Sequence, residues 1–291
     1  MSPSEAVDFI AAADARADHR TTSQPDKRAV WRLFGAGPPL VLLHGGFGSW
    51  LHWLPMLDLL SHDFRLAVPD MPGFGQSDPI PPGATPELIA DRLALGIGEL
   101  FGDAPVRLAG FSFGGLVAAY LSVRLGSRLA GLVLVASGGL GVEREPLDMR
   151  SRRRDMSEDD LRAMHAHNLR TLMVRDPEKA DALAVEIQMR NTSRRPGLVS
   201  RDFSRSRTTL KLIADLKAPV AAAWGEQDPT VVPHLDERVA ALRAARPDAA
   251  TLILKGCGHW IMQERPAELA GFITEAFKRD APANAQREND Q

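Results

Sequence analysis

Short apolar runs without polar alternation recur along the chain, and longer stretches with helical periodicity separate them. Runs of this kind indicate parallel strands that are buried on both faces of a sheet. The predicted strands cover residues 29–34, 40–43, 65–69, 106–111, 132–136, 219–224 and 251–254. The predicted helices cover residues 4–16, 85–101, 115–125, 235–245 and 267–278. This alternation predicts an α/β fold, with a mostly parallel sheet and helices on both faces.

One segment interrupts the alternation. Residues 143–216 contain no convincing strand and are rich in arginine, methionine and helix formers. We expect a helical cap there, inserted before the penultimate strand and lying over the carboxyl edge of the sheet, where open α/β sheets bind ligands. The alternative is that these helices pack on the flank. The predicted core comprises residues 1–142 and 217–280, and the polar residues 281–291 are expected to form a disordered tail.

The composition narrows the class of protein. Of the 291 residues, 44% are hydrophobic and 25% are charged, and the formal net charge is -2, so nothing predicts a nucleic-acid or anionic-membrane partner. The single cysteine, Cys257, excludes an intramolecular disulfide and fits a reducing compartment. The apolar runs are too short for a membrane span or a signal-peptide core, so we expect a cytoplasmic protein with a small-molecule substrate. The cap helices could also supply a homodimer contact.

The pattern Gly-x-Ser-x-Gly occurs at residues 110–114, between an apolar run and a helical run. Strand, sharp turn and helix is the context in which this pattern forms a nucleophile elbow, a turn that exposes the serine hydroxyl at the sheet edge. Gly110 and Gly114 suit such a turn, because a Cβ at either position would collide with a neighbouring strand or helix. Ser112 is therefore the candidate nucleophile, and the alternative is a serine that merely caps the following helix.

A serine needs a base and an orienting acid before it becomes a good nucleophile. Asp228 and His259 each follow one of the last two predicted strands, so both should lie at the sheet edge where Ser112 emerges. The chain order Ser, Asp, His is the order that such a sheet requires. We expect His259 to take the proton from Ser112 and Asp228 to hold the histidine ring in the correct tautomer. Glu226 is an alternative acid.

Backbone N–H groups should stabilise the negative charge that develops on the substrate. One expected donor is the N–H of Phe113, directly after the nucleophile. The second is expected from the glycine-rich residues 44–48, where we favour the N–H of Phe47 and expect Gly46 to contact the substrate. These residues lack the Lys-Ser/Thr of a phosphate-binding loop, and the sequence has no metal-ligand spacing, so neither a metal nor a cofactor is expected.

Five motifs in this order resemble those of the α/β-hydrolase superfamily. They are His44-Gly45-Gly46, Asp70-Met71-Pro72-Gly73-Phe74-Gly75-Gln76-Ser77, Gly110-Phe111-Ser112-Phe113-Gly114-Gly115, Gly225-Glu226-Gln227-Asp228 and Gly258-His259. The resemblance extends over roughly residues 30–278 and implies the α/β-hydrolase fold and a hydrolytic activity.

The last motif and the helical cap also resemble those of the meta-cleavage product hydrolases, which cleave a carbon–carbon bond in dienoate ring-fission products of aromatic compounds. Their last motif is similar to residues 256–260 followed by Glu264. This resemblance implies a substrate contact for Arg190, whose guanidinium suits a carboxylate, and the alternative is a solvated arginine of the cap. Trp260 is an aromatic residue close to the predicted site, where it is expected either to line an apolar substrate pocket or to belong to the core. The chain departs from that subfamily at two places. Phe111 stands where the subfamily commonly has asparagine, and the oxyanion loop, Phe47-Gly48-Ser49, is bulkier and less polar than is usual there.

The leading hypothesis is a cofactor-independent serine hydrolase that cleaves a small carboxylic ester or an activated carbon–carbon bond. The direction of the Arg190 side chain distinguishes these two substrate classes. A side chain that points into the pocket favours an anionic keto acid, and one that points to solvent favours a neutral ester. A second hypothesis is an acyltransferase or perhydrolase, because the acyl-enzyme is the same and only the attacking molecule differs. A third is a ligand receptor that keeps the fold and turns over slowly.

Overall fold

A computed structural model describes residues 1–24, 27–141, 146–193, 198, 203 and 205–278. One sheet of eight strands runs through the molecule, in the order β1-β2-β4-β3-β5-β6-β7-β8. Its strands are β1 (Asp18–Gln24), β2 (Lys27–Phe34), β3 (Pro39–Leu43), β4 (Arg65–Asp70), β5 (Val106–Phe111), β6 (Leu129–Val135), β7 (Val220–Gly225) and β8 (Ala250–Leu254). The strands β3 to β8 pair in parallel, and β2 pairs antiparallel with both β1 and β4.

All seven predicted strands are present, which confirms the mostly parallel sheet. The apolar residues of β3, β5 and β6 are almost fully buried, as expected for strands covered on both faces. The strand β1 was not predicted, because its sequence, DHRTTSQ, has no apolar run. Backbone pairing with β2 and a hydrogen bond of 2.8 Å from Trp31 Nε1 to Thr22 Oγ1 hold it at the edge of the sheet.

Helices lie on both faces of the sheet. They are α1 (Pro3–Ala15), α2 (Leu57–Leu60), α3 (Pro86–Phe101), α4 (Phe113–Leu125), α5 (Glu158–Asn168), α6 (Ala182–Asn191), α7 (Thr208–Ile213), α8 (Leu235–Ala245), α9 (Ile261–Glu264) and α10 (Pro266–Lys278). Short 3₁₀ turns cover Trp50–Met56, Gly126–Arg128 and Pro177–Lys179, and a π-helical turn covers Leu169–Met173. The predicted helices are confirmed to within two residues at each end. The turn Trp50–Met56 was missed, because its nearly continuous apolar residues carry no helical period.

The segment between β6 and β7 holds α5, α6 and α7, and its described residues contain no strand. The helix α6 packs against α5 and against α1, whereas α7 packs against α4 and α8. The end of the predicted cap therefore lies on the flank of the core. Parts of this segment and the predicted tail, residues 281–291, lie outside the described residues. In the described part of the chain, no helix is long and apolar enough to cross a membrane.

Parallel pairing brings the loops after β3, β5, β7 and β8 to one edge of the sheet. These loops carry, in turn, the glycine-rich residues 44–48, Ser112, Asp228 and His259. Residues that are far apart in the sequence therefore meet at the carboxyl edge, where open α/β sheets bind their ligands.

Candidate active site

Ser112 sits in a strained turn between β5 and α4. Its backbone φ of 52° and ψ of -113° lie in a region that residues other than glycine rarely adopt. The turn is held by hydrogen bonds from Ser112 N to Val135 O (2.8 Å) and from Gly138 N to Ser112 O (3.1 Å). The Ser112 side chain makes no capping hydrogen bond to α4. The Ser112 hydroxyl therefore does not cap α4, which excludes the alternative that this serine is merely a helix cap.

The glycines around Ser112 permit this turn because backbone lies where their side chains would be. A Cβ on Gly110 would overlap the carbonyl oxygen of Gly114, and a Cβ on Gly114 would overlap the carbonyl oxygens of Leu43 and His44. Both contacts are with backbone, which cannot move aside as a flexible side chain can. The glycines are therefore a steric requirement of the turn, as the pattern predicted.

A chain of hydrogen bonds joins Ser112 to His259 and His259 to Asp228. The distance from Ser112 Oγ to His259 Nε2 is 3.0 Å, and that from His259 Nδ1 to Asp228 Oδ2 is 2.7 Å. Asp228 is fully buried and His259 nearly so. Glu226 is exposed, and its carboxylate accepts the Gly256 N–H instead (3.1 Å). Of the two candidate acids, Asp228 is the one that contacts the histidine.

The environment of Asp228 keeps its carboxylate ionised. Burial alone would raise the pKa of Asp228, but the neighbouring His259 and the hydrogen bonds from His259 and Thr230 outweigh burial and hold it below its ordinary value. The N–H of Thr230 donates to Asp228 Oδ1 at 2.7 Å. An ionised carboxylate against Nδ1 fixes the tautomer in which Nε2 accepts the serine proton.

Arg238, on α8, supports the loop that carries Asp228. Its side chain is 2% exposed, and Nη2 donates to the Thr230 carbonyl at 2.6 Å. The same guanidinium contacts the Ser137 carbonyl, beyond the end of β6, at 3.4 Å. Sequence reasoning missed this residue, because an arginine within a helix usually has a solvated head group.

The two backbone N–H groups predicted to stabilise an oxyanion belong to loops that meet Ser112. Phe47 has a φ of 51° and a side chain that is 43% exposed, whereas Phe113 is buried at the start of α4. Within the described residues, neither N–H donates an internal hydrogen bond. By contrast, the N–H of Gly45 donates a hydrogen bond to His52 Nδ1 at 3.2 Å. Gly46, in the same loop, is half-buried.

His44 and His52 are buried behind this loop, and sequence reasoning gave neither a role. His44 Nδ1–H donates to the Gly45 carbonyl (2.8 Å), and Nε2 accepts the Met71 N–H (3.0 Å). Burial lowers the pKa of His44 to about 4. Burial, and then the neighbouring His44 and His259, hold the pKa of His52 well below its ordinary value. Both rings are therefore neutral at pH 7 and serve as fixed hydrogen-bonding supports.

Trp260 and Arg190 are placed differently from Ser112, His259 and Asp228. The Trp260 indole is fully buried, donates from Nε1 to the His52 carbonyl (3.0 Å) and packs on the His52 ring. Arg190 Nε donates to Glu186 at 2.9 Å, and its side chain is 39% exposed. It lines a cavity of about 650 Å³ next to α1, and neither Ser112 nor His259 lines that cavity. The structure therefore places the Arg190 guanidinium at a different cavity from Ser112 and His259.

No metal centre accompanies this site in the part of the chain that the structure describes, since it holds no cluster of three histidine, cysteine or acidic side chains. The site consists of a buried carboxylate, a histidine, a strained serine and backbone donors. Such a set can transfer an acyl group by proton exchange through the histidine.

Comparison with known proteins agrees with this description. The family model of the alpha/beta hydrolase fold matches residues 38–266, which is most of the chain. The chain belongs to this family and has the α/β-hydrolase fold.

The relatives found include both esterases and carbon–carbon bond hydrolases. The chain is 37% identical over 109 residues to a pimeloyl-[acyl-carrier protein] methyl ester esterase of Vibrio campbellii, an alignment that covers 37% of this chain and 40% of the esterase. It is 27% identical over 249 residues to a 2-hydroxy-6-oxo-6-phenylhexa-2,4-dienoate hydrolase of Burkholderia cepacia, covering 79% and 84% of the two chains. The match to the esterase thus spans less than half of its length.

A solved structure shares the fold over nearly the whole chain. A mutant of the meta-cleavage product hydrolase of Pseudomonas fluorescens IP01 superposes with a TM-score of 0.72, at 21% identity, over 89% of this chain and 97% of that one. At this identity the likeness concerns the fold. The predicted resemblance to meta-cleavage product hydrolases and esterases is therefore confirmed, and the substrate has to be argued from the site.

Proposed function

We propose that this protein is a serine hydrolase that cleaves small, neutral carboxylic esters with Ser112, His259 and Asp228 as its catalytic residues. The observation that carries the proposal is the hydrogen-bonded chain from Ser112 Oγ to His259 Nε2 and from His259 Nδ1 to the buried Asp228. Its distances of 3.0 and 2.7 Å lie in the range for proton transfer between a nucleophile and its base.

The mechanism follows from these contacts. His259 Nε2 takes the proton from Ser112 as Oγ attacks the ester carbonyl, and the N–H groups of Phe47 and Phe113 stabilise the oxyanion. The imidazolium then gives its proton to the departing alcohol, which leaves an acyl-enzyme on Ser112. Water, deprotonated by His259, attacks the acyl-enzyme and releases the carboxylic acid. Asp228 stabilises the imidazolium in both halves of the reaction.

The placement of Arg190 favours a neutral substrate. Its guanidinium is bonded to Glu186 and partly solvated, so it offers no unpaired positive charge to a carboxylate at Ser112. This is the arrangement expected of an esterase rather than of a keto-acid hydrolase. The relatives from Vibrio, which act on a methyl ester, also support an ester substrate.

Carbon–carbon bond cleavage is the second candidate. It is supported by the long alignment with the dienoate hydrolase of Burkholderia cepacia, which covers 84% of that enzyme. Acyl transfer or perhydrolysis would use the same acyl-enzyme with another acceptor, and a slow receptor would need the pocket but not the proton relay. A receptor is disfavoured, because the hydrogen-bonded chain from Ser112 through His259 to Asp228 is complete.

A side-by-side assay on short-chain p-nitrophenyl esters and on a ring-fission dienoate tests the proposal. Ester turnover should exceed dienoate turnover, and Ser112→Ala should reduce it by at least about 10³-fold. Strong dienoate turnover with weak ester cleavage would replace the ester assignment by carbon–carbon hydrolysis. Full ester turnover in Ser112→Ala would contradict the proposal that Ser112 is the nucleophile.

A further inference from the structure

Glu264 is a buried carboxylate close to the candidate site, and the mechanism above does not use it. It ends the short helix α9, five positions after His259, and is 3% exposed. Among the described residues, no basic side chain forms a salt bridge with it. A buried carboxylate without a counter-charge is costly unless hydrogen bonds satisfy its oxygens.

Three backbone N–H groups satisfy the Glu264 carboxylate, and they come from two different parts of the chain. Oε2 accepts from Gly258, directly before His259, at 2.6 Å. Oε1 accepts from Arg175 at 2.9 Å and from Asp176 at 2.8 Å. A weaker contact of 3.7 Å joins Oε2 to Cys257 Sγ. One carboxylate therefore connects the loop of the candidate base to the segment between β6 and β7.

A second link joins the same two regions on the other side of His259. The N–H of Trp260 donates to the Met173 carbonyl at 2.6 Å. A Cβ on Gly258 would lie 2.8 Å from Arg175 N and 2.9 Å from Glu264 Oε2, so a side chain has no room there. Trp260 is thus bonded directly to Met173, whereas Gly258 is linked to Arg175 and Asp176 through the Glu264 carboxylate. Residues 173–176 join the π-helical turn to the following 3₁₀ turn.

We propose that Glu264 is a positioning residue that couples the cap segment 173–176 to the His259 loop and thereby sets the contact between His259 Nε2 and Ser112 Oγ. This inference rests on the proposed role of His259 as the base. Because Oε1 and Oε2 are part of one rigid carboxylate, a shift of residues 173–176 is passed to Gly258. Misplacement of a catalytic group by about 1 Å can cost roughly 100-fold in rate, so a small shift matters.

The variant Glu264→Gln tests the coupling with almost no change of volume. Its amide NH₂ replaces one oxygen, so an N–H group must face either Gly258 N–H or the two cap N–H groups. We expect kcat per active site to fall about 10- to 100-fold, with KM changed by no more than about twofold. The matched control is Glu226→Gln, an exposed carboxylate that accepts the Gly256 N–H of the same loop at 3.1 Å and is bonded to no cap residue. Its kcat should stay within about twofold of the wild type.

Burst titration with p-nitrophenyl acetate separates positioning from a merely structural role. The burst counts the folded active sites, so kcat can be expressed per site. A smaller burst with unchanged kcat per site would overturn the proposal, since Glu264 would then only stabilise the fold. A normal burst with reduced kcat per site supports it. No hydrolysis of p-nitrophenyl esters by the wild type would instead contradict the proposed function, and the coupling would then be decided by the measurement below.

Amide hydrogen exchange of the wild-type protein tests the coupling without a variant and without a substrate. The amides of Gly258, Arg175 and Asp176 share one acceptor, so they should be released by one opening event, with protection factors that agree within about threefold. The Gly256 amide, held by exposed Glu226, should exchange faster. Exchange of Gly258 that is independent of Arg175 and Asp176 would overturn the proposal, whether or not Glu264→Gln folds.

Discussion

The sheet edge and the cap contribute to the candidate site in different chemical forms. The sheet edge supplies side chains: Ser112, Asp228 and His259 stand at the ends of three parallel strands and contact one another directly. At the His259 loop the cap supplies backbone groups: the Met173 carbonyl accepts from Trp260, and the N–H groups of Arg175 and Asp176 donate to Glu264. Under the proposed function, the sheet edge carries out the chemistry and this contact with the cap positions it. Substitutions at the sheet edge should abolish the reaction, whereas substitutions at the cap contact should modulate it.

The largest effect is expected from replacing the orienting acid at the sheet edge. In Asp228→Asn an amide faces His259 Nδ1, which favours the wrong tautomer, so kcat should fall roughly 10³- to 10⁴-fold. Steady-state ester hydrolysis measures this loss, with the exposed Glu226→Gln as the control that stays close to the wild type. The opposite ranking of the two variants would contradict the assignment of Asp228.

The next effect concerns the rigidity of the nucleophile turn. A Cβ at Gly114 would overlap two backbone carbonyls, so Gly114→Ala should lower the free energy of unfolding by at least about 3 kcal/mol. Gly98→Ala, in α3, is the matched control because no atom lies within 4 Å of its added Cβ. That variant should be more stable than the wild type by about 0.5–1 kcal/mol. Urea unfolding curves measure both, and equal effects would refute the steric account of the turn.

A smaller effect on stability is expected from pH, through His44, which is buried behind the glycine-rich residues 44–48. Because burial lowers the pKa of His44 to about 4, the unfolded chain binds a proton there that the folded protein does not. Stability should therefore decrease as pH falls from about 6.5 towards 4, by about 2 kcal/mol at pH 5 for this one group. Urea unfolding at pH 7 and pH 5 measures the change.

Two variants assign this pH dependence. His44→Asn should reduce it by the contribution of His44, leaving that of buried His52, whereas the exposed His62→Gln should leave it as in the wild type. An unchanged slope in His44→Asn would show that His44 does not stay neutral in the folded protein.

The smallest effect concerns a direct side-chain bond between the two regions. Ser49 Oγ, next to the oxyanion loop, donates to Asn191 Oδ1 at the end of α6, at 2.6 Å. A double-mutant cycle with Ser49→Ala and Asn191→Ala should give a coupling energy of about 1 kcal/mol in unfolding. Ser49→Ala should cost more than Asn191→Ala, because Ser49 Oγ also accepts the Leu51 N–H. Strictly additive single effects would mean that this bond does not hold the cap to the core.

The sheet and the meeting of Ser112, His259 and Asp228 at its edge were predictable, because each leaves a local signal in the sequence. Apolar runs identify β3 and β5, and the glycines around Ser112 record the crowding that the turn imposes. The polar edge strand β1 gave no such signal, because pairing with β2 rather than burial defines it.

The hydrogen bonds that hold the site in place were not predictable, because their partners are backbone groups that leave no local signal in the sequence. The hydrogen bond from Gly45 to His52 and those that Glu264 accepts use backbone donors, which every residue except proline carries. Arg238 binds backbone carbonyls, so its partners have no characteristic residue type either. Contacts of this kind depend on how distant segments pack, and no local pattern records them. The cap segment 173–176 meets Glu264 and Trp260 through such groups, and Arg175 Nε also donates to Gln227 Oε1.

The central claim is that Ser112 forms a covalent acyl-enzyme, and intact-mass spectrometry with a slowly hydrolysed activated ester tests it most directly. One acyl adduct per chain should appear and map to the peptide that contains Ser112, and Ser112→Ala should carry none. Ester hydrolysis without an adduct, or an adduct on another residue, would contradict the account.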